Sequence, residues 1–411
     1  MKINRIILLA FISIVLFSPF IGSCKKAEQS KKYSYFVSKD FVNEYTTAYI
    51  TNLLEIVSGP LPEIGPVKAL IKSDVNIYKI VYKTTVKGNV INASGLICVP
   101  VTPGDYPVLS FQNGTNTVNA DAPSEFPADY NYQLVEIIAS LGYIVVIADY
   151  PGFGESAQIP HPYLVAEPTV RSLVDMLYTV KEVAGSEFPD ITLKNEYYLL
   201  GYSQGGWATL ALHKALELDY NNDFNLAGSS CGAGPYDISQ LLDGMITEPV
   251  YPVPAYLAYI VNAYTYYNQF TNPVSDIFNE PYASRVSSLF TGLLTLDQID
   301  NQLTTSISAL LTPEFISGFK TDAKYSSLRD ALNKNSVSAW HTYKPLLMTH
   351  GGKDTQVSPA STESMYSALI QAGTSSNICT KIIVPNVDHG DGALPCMIQG
   401  ILFLNNLNNS K

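Results

Sequence analysis

Basic residues are in short supply: 25 Lys and Arg stand against 36 Asp and Glu, a net charge of −11. No basic stripe is available to offset phosphate repulsion, which excludes nucleic acid as a partner and disfavours polyanionic substrates. Histidine is rarer still, at five residues, so imidazole chemistry has few sources. No Cys-x-x-Cys pair and no His-Glu-x-x-His occurs, so the spacing supports no metal site. Nothing repeats at solenoid or propeller-blade length. Only 15% of the 411 residues are charged and 46% are hydrophobic, enough for a large core. That length suits one α/β domain with an insertion, or two ordinary domains.

The first residues read as a targeting segment. Lys2 and Arg5 precede an apolar run from Ile6 to Ile21, and Gly22-Ser23-Cys24 follows. Small residues before a cysteine resemble the bacterial lipobox, which implies cleavage after residue 23, a lipid anchor on Cys24 and a place in the cell envelope. The run is short for a single-pass span. Residues 24–37 then serve as a tether.

The centre of the chain carries the strongest local signal. Tyr197 to Leu200 is a short apolar run of the kind that fills a buried parallel strand. From Trp207 to Leu218 apolar residues recur at helical spacing. Between them Gly201-Tyr202-Ser203-Gln204-Gly205 fits G-x-S-x-G. A serine on a sharp strand-to-helix turn needs glycine two residues either side for the turn to close. Its hydroxyl is then exposed, and the N–H of Gln204 at the helix start faces a developing oxyanion.

These residues resemble the α/β-hydrolases, in particular secreted lipases and esterases carrying Gly-Tyr-Ser-Gln-Gly, over about residues 75–405. The resemblance implies ester hydrolysis without metal or cofactor, on a small ester with an apolar acyl or aryl group. It also implies the chain order Ser203, Asp354, His389 for nucleophile, acid and base. Each of the three follows a predicted strand, where open α/β sheets place their sites. Asp388 and Asp391 are rivals for the acid. Gly228-Ser229-Ser230-Cys231-Gly232 is a second G-x-S-x-G match, but no amphipathic helix follows it. A second oxyanion donor is expected from Asn113-Gly114-Thr115, with Thr115 favoured over Gly114 by analogy with His-Gly-x, although Asn113 stands where relatives often have His.

The rest of the chain alternates strand and helix, as in a mostly parallel, doubly wound sheet with an antiparallel N-terminal edge. Residues 38–57 have helical apolar spacing. Residues 75–86 and 90–99 form a hairpin about Lys87-Gly88-Asn89. Strands follow at 107–112, 143–148, 224–230, 345–350 and 378–384, with helices at 130–141, 168–183 and 360–371. Residues 236–340 lack strands, are rich in tyrosine, and include helix-like pieces at 284–296 and 299–311. An insertion of that size is expected to be a helical cap over the site, dividing the core into 38–235 and 341–411. Cys379 and Cys396 flank the His389 loop, and spacing leaves open a bridge or two buried thiols. A peptidase on the same fold and a non-catalytic ligand-binding lipoprotein remain as rival readings.

Overall fold

A computed structural model describes residues 33–58 and 64–410. Cys24 and the leader segment lie outside the described residues. Nine strands form one sheet in the order β1-β2-β3-β5-β4-β6-β7-β8-β9. Their ranges are β1 Phe36–Tyr45, β2 Val75–Val86, β3 Asn89–Pro100, β4 Gly104–Gln112, β5 Ile144–Ala148, β6 Ile191–Tyr202, β7 Leu226–Gly232, β8 Leu346–Gly351 and β9 Cys379–Val384. The first three strands are antiparallel to their neighbours, and β5 through β9 run parallel.

The β2–β3 hairpin pairs without interruption from Val75↔Pro100 to Val86↔Asn89. Lys87 and Gly88 both take positive φ, 50° and 78°, the two-residue turn whose twist matches the flanking strands. β5 is buried along its whole length, as expected of a strand covered by helices on both faces. One face packs the helices Ala166–Val183 and Gln204–Leu218. The other packs Thr47–Ser58 and the C-terminal helix Ala393–Asn409.

After β4 the chain moves to β5 on one side, then returns to β6 on the other. The crevice at the strand ends where the direction of winding reverses is where such sheets open. Gln112 pairs with Gly201 at that point, so the loop after β4 and the turn after β6 are neighbours.

Two sequence expectations change at the N-terminus. Residues 38–57 are not one helix: β1 pairs antiparallel with β2, and a helix begins only at Thr47. Aromatic and β-branched residues suit a pleated edge, and pairing to the open edge of β2 overrides the helical spacing. The Asp74 carboxylate accepts the Thr47 N–H, fixing the switch from strand to helix. The tether expected through residue 37 also ends earlier. Glu182 accepts the N–H groups of Ser34, Tyr35 and Phe36, at 2.7, 2.9 and 2.9 Å, and Glu187 accepts the Tyr33 hydroxyl at 2.7 Å.

The insertion 236–340 is helical, without a named strand among the described residues. The expected helix over 284–296 stops at Leu289, and that over 299–311 divides into Leu296–Asp300 and Ile307–Leu310. Gly292, at φ +81°, turns the chain against Asn119, and Thr295 starts a new helix with a capping box. The helix Ala255–Tyr266 is apolar almost all round and buried. Its tyrosines reach the loops at the sheet's C-terminal edge: Tyr256 to Gln356, Tyr259 to the Asn116 carbonyl, and Tyr264 to the Leu164 carbonyl.

Candidate active site

Ser203 stands between β6 and the helix Gln204–Leu218 with φ 59° and ψ −125°, a backbone conformation that L-residues rarely adopt. The neighbouring glycines make the turn possible. A Cβ on Gly205 would overlap the Gln112 carbonyl, and one on Gly201 would overlap Thr209 and the Gly205 carbonyl. Trp207, fully buried, donates its indole N–H to the Asn335 carbonyl at 3.0 Å and locks the helix to the end of the insertion.

Asp354 lies in the loop after β8, and His389 in the loop after β9. Both meet Ser203. His389 Nδ1 is 2.6 Å from Asp354 Oδ2, and His389 Nε2 is 2.8 Å from Ser203 Oγ. The carboxylate can only accept, so Nδ1 carries the hydrogen and Nε2 is left to accept from the serine hydroxyl. Tyr202 donates its hydroxyl to the His389 carbonyl at 2.8 Å and holds the loop from below. Neither rival acid bonds to the ring; Asp388 Oδ1 instead accepts the Asp391 N–H.

Burial by itself would push the Asp354 carboxyl up. Hydrogen bonds from His350, His389 and the Val357 N–H outweigh it and hold the group at about 2. Its second oxygen, Oδ1, accepts the N–H groups of Gln356 and Val357, both at 2.9 Å. His350, which lies on β8, belongs to no motif in the sequence. The only cue in the sequence was its position four residues before Asp354.

Gln204 opens the helix, where its N–H has no carbonyl one turn back to bond. Gly114 approaches from the loop after β4, such that a Cβ there would stand 3.9 Å from the Ser203 Cβ. The N–H groups of Gly114 and Thr115 donate to no described residue, and the Thr115 hydroxyl is 3.1 Å from that of Tyr163. His161 is a second residue without an assigned role in the sequence reading. Its Nδ1 is 2.9 Å from the Pro151 carbonyl and must donate, so Nε2 accepts from the Gln204 side-chain amide at 2.7 Å. Burial lowers the His161 ring to about 4, which keeps it neutral and the arrangement intact at ordinary pH.

The second motif is no elbow. Ser230 lies inside β7, paired opposite Leu200, and is buried. His213 is buried against Ser229 and Thr342. Cys98, Cys231, Cys379 and Cys396 are buried free thiols, which resolves the open question of a bridge. A cleft of about 460 Å³ begins beside the site, bounded by Gly114, Tyr202 and Gly390 and floored by Leu394 and Met397.

A doubly wound sheet with its winding reversed at β4, and a serine on a strained turn after the next strand, give this chain the α/β-hydrolase fold. The secretory lipase family matches residues 124–274. A protein of Legionella pneumophila assigned as a hydrolase superposes with a TM-score of 0.80 at 25% identity, covering 91% of this chain and 98% of that one. The rice cell wall degrading esterase LipA from Xanthomonas oryzae gives 0.77 at 23% identity, over 91% and 97%. Candida antarctica lipase A in its closed state gives 0.67 at 14%, over 91% and 82%. No curated protein matches by sequence.

Proposed function

We propose that this protein is an exported serine carboxylester hydrolase working through an acyl-enzyme, with Ser203 as nucleophile, His389 as general base and Asp354 as its orienting acid. The observation that carries the reading is the pair of contacts at 2.8 and 2.6 Å linking Ser203 Oγ through the His389 ring to Asp354. His389 Nε2 takes the hydroxyl proton as Oγ attacks the ester carbonyl. Negative charge develops on the carbonyl oxygen, where the Gln204 N–H and an N–H from Gly114 or Thr115 stabilise it. The imidazolium, held against Asp354, returns the proton to the departing alkoxide. Water then attacks the acyl-enzyme by the same route and frees the acid.

The aromatic insertion, whose Tyr259 stacks between Phe290 and Tyr163 of the core with both centroid spacings 4.3 Å, supports a cap over an apolar acyl or aryl group. The match to secretory lipases supports export. The Gly22-Ser23-Cys24 sequence supports a lipid anchor, with residues 25–32 as tether. Among the described residues no helix is long and apolar enough to cross a membrane.

The test is a panel of nitrophenyl esters of increasing chain length, run with Ser203→Ala beside the parent. Turnover of at least one ester, abolished in the variant, is expected. Faster cleavage of peptide anilides than of every ester would overturn the ester reading in favour of a peptidase.

A further inference from the structure

We propose that His350 is a positioning residue for the triad acid: a second histidine that fixes the orientation of Asp354 and shares the charge on the oxygen facing His389. The inference rests on the triad reading above and extends it by one residue.

His350 is fully buried near the end of β8. Its Nε2 lies 2.8 Å from the Val357 carbonyl and 3.2 Å from Asp354 Oδ2. Both partners only accept, so Nε2 carries the hydrogen and divides it between them. Its Nδ1 lies 2.8 Å from the hydroxyl of Thr362, itself fully buried, which can donate or accept. Both ring nitrogens are committed to buried partners, so the ring is held in one orientation.

The consequence falls on Asp354 Oδ2. That oxygen receives one N–H from the proton-transferring residue, His389, and one from a residue fixed in the sheet. Oδ1 is held separately by two backbone N–H groups of its own loop. Removing the His350 donor leaves Oδ2 tied only to the ring it is meant to orient, so the carboxylate can turn with that ring rather than hold it. It also leaves more negative charge facing His389, which favours the imidazolium.

The other titratable groups around this pair are Tyr202 from β6, Tyr251 and Tyr256 from the insertion, Cys396 from the last helix, and Asp388 on the histidine loop. Burial raises the three tyrosines and Cys396, so they stay neutral across the assay range. Asp388 is common to all the variants compared.

The experiment compares His350→Leu, which removes the donor, with His350→Gln, whose amide N–H can reach the same oxygens. Each is titrated for active sites with a fluorophosphonate, so that kcat is expressed per reactive serine. In His350→Leu, kcat per site is expected to fall about 10- to 100-fold with little change in KM, the range seen when an outer hydrogen-bond partner of a functional side chain is lost. The acidic limb of its kcat/KM profile is expected to move to higher pH. His350→Gln is expected to recover most of both. A merely structural histidine would lower the titratable fraction, leaving kcat per site and the limb where they were, and that result overturns the proposal. If the parent enzyme itself shows no reactive Ser203, the triad reading has failed instead.

Discussion

Glu136 offers a quantitative test of the packing between the sheet and its first helices. It ends the helix Tyr130–Glu136 with no measurable exposure, and the Tyr45 hydroxyl faces its carboxyl without a close, well-aligned hydrogen bond. Burial raises its carboxyl to about 8, with Asp129 adding to the shift and Tyr45 opposing it. The folded value thus lies above the unfolded one. Below about pH 4.5 the group is protonated in both states and costs nothing. As pH rises toward 8 the unfolded chain ionises while the folded chain cannot, so stability falls; above 8 the loss is complete. A rise from 4.5 to about 8 corresponds to a loss on the order of 5 kcal/mol at most. Glu136→Gln removes the titration, and the constant cost of burying an amide cancels when two pH values are compared. About 3.5 kcal/mol of that loss falls between pH 5 and pH 8, so the melting temperature of the variant relative to the parent should increase across that interval by up to roughly 4 °C, taking about 2.1 cal/mol/K per residue. A difference between variant and parent that stays flat across that interval would refute the reasoning.

Other expectations follow from single contacts. Gly205→Ala drives a methyl group into the Gln112 carbonyl and should cost about 1–3 kcal/mol in urea unfolding, together with loss of fluorophosphonate labelling. Asp354→Asn should lower kcat by about 10⁴ in ester turnover while KM holds, as the same change does in a serine-protease triad. His161→Leu leaves the Gln204 amide without its acceptor and should weaken binding of a boronic acid, which mimics the oxyanion, more than it changes KM. With Cys98, Cys231, Cys379 and Cys396 all unbridged, a reductant should move the melting temperature by less than about 1 °C, whereas a bridge would be worth about 2–4 kcal/mol.

The site was legible in the sequence where local chemistry is demanding. The elbow needs Gly201 and Gly205 beside Ser203, and such a turn leaves a mark that five letters can carry. Chain order then directed attention to Asp354 and His389. The strands of the sheet were legible because fully buried strands are continuously apolar, as Ile144–Ala148 is. What was hidden depends on distant partners. β1 is decided by the edge of β2, not by its own spacing, which reads as helix. Gly228 to Gly232 mimics an elbow, yet pairing on both sides with β6 and β8 keeps it a strand. The roles of His350 and His161 lie in what surrounds them, a carboxylate four residues on and an amide 43 residues on, and only the short spacing to Asp354 hints at the first. The helix Ala393–Asn409 was missed although Ile398, Ile401 and Leu404 have helical spacing and are buried.

The central claim is that one hydroxyl among many in this chain is made nucleophilic by an imidazole brought from 186 residues away. Mapping the fluorophosphonate adduct by mass spectrometry tests it most directly. The account predicts a single modified peptide containing Ser203, absent in Ser203→Ala and His389→Ala and retained in Ser230→Ala. An adduct on any other serine, or undiminished labelling once His389 is removed, would contradict it.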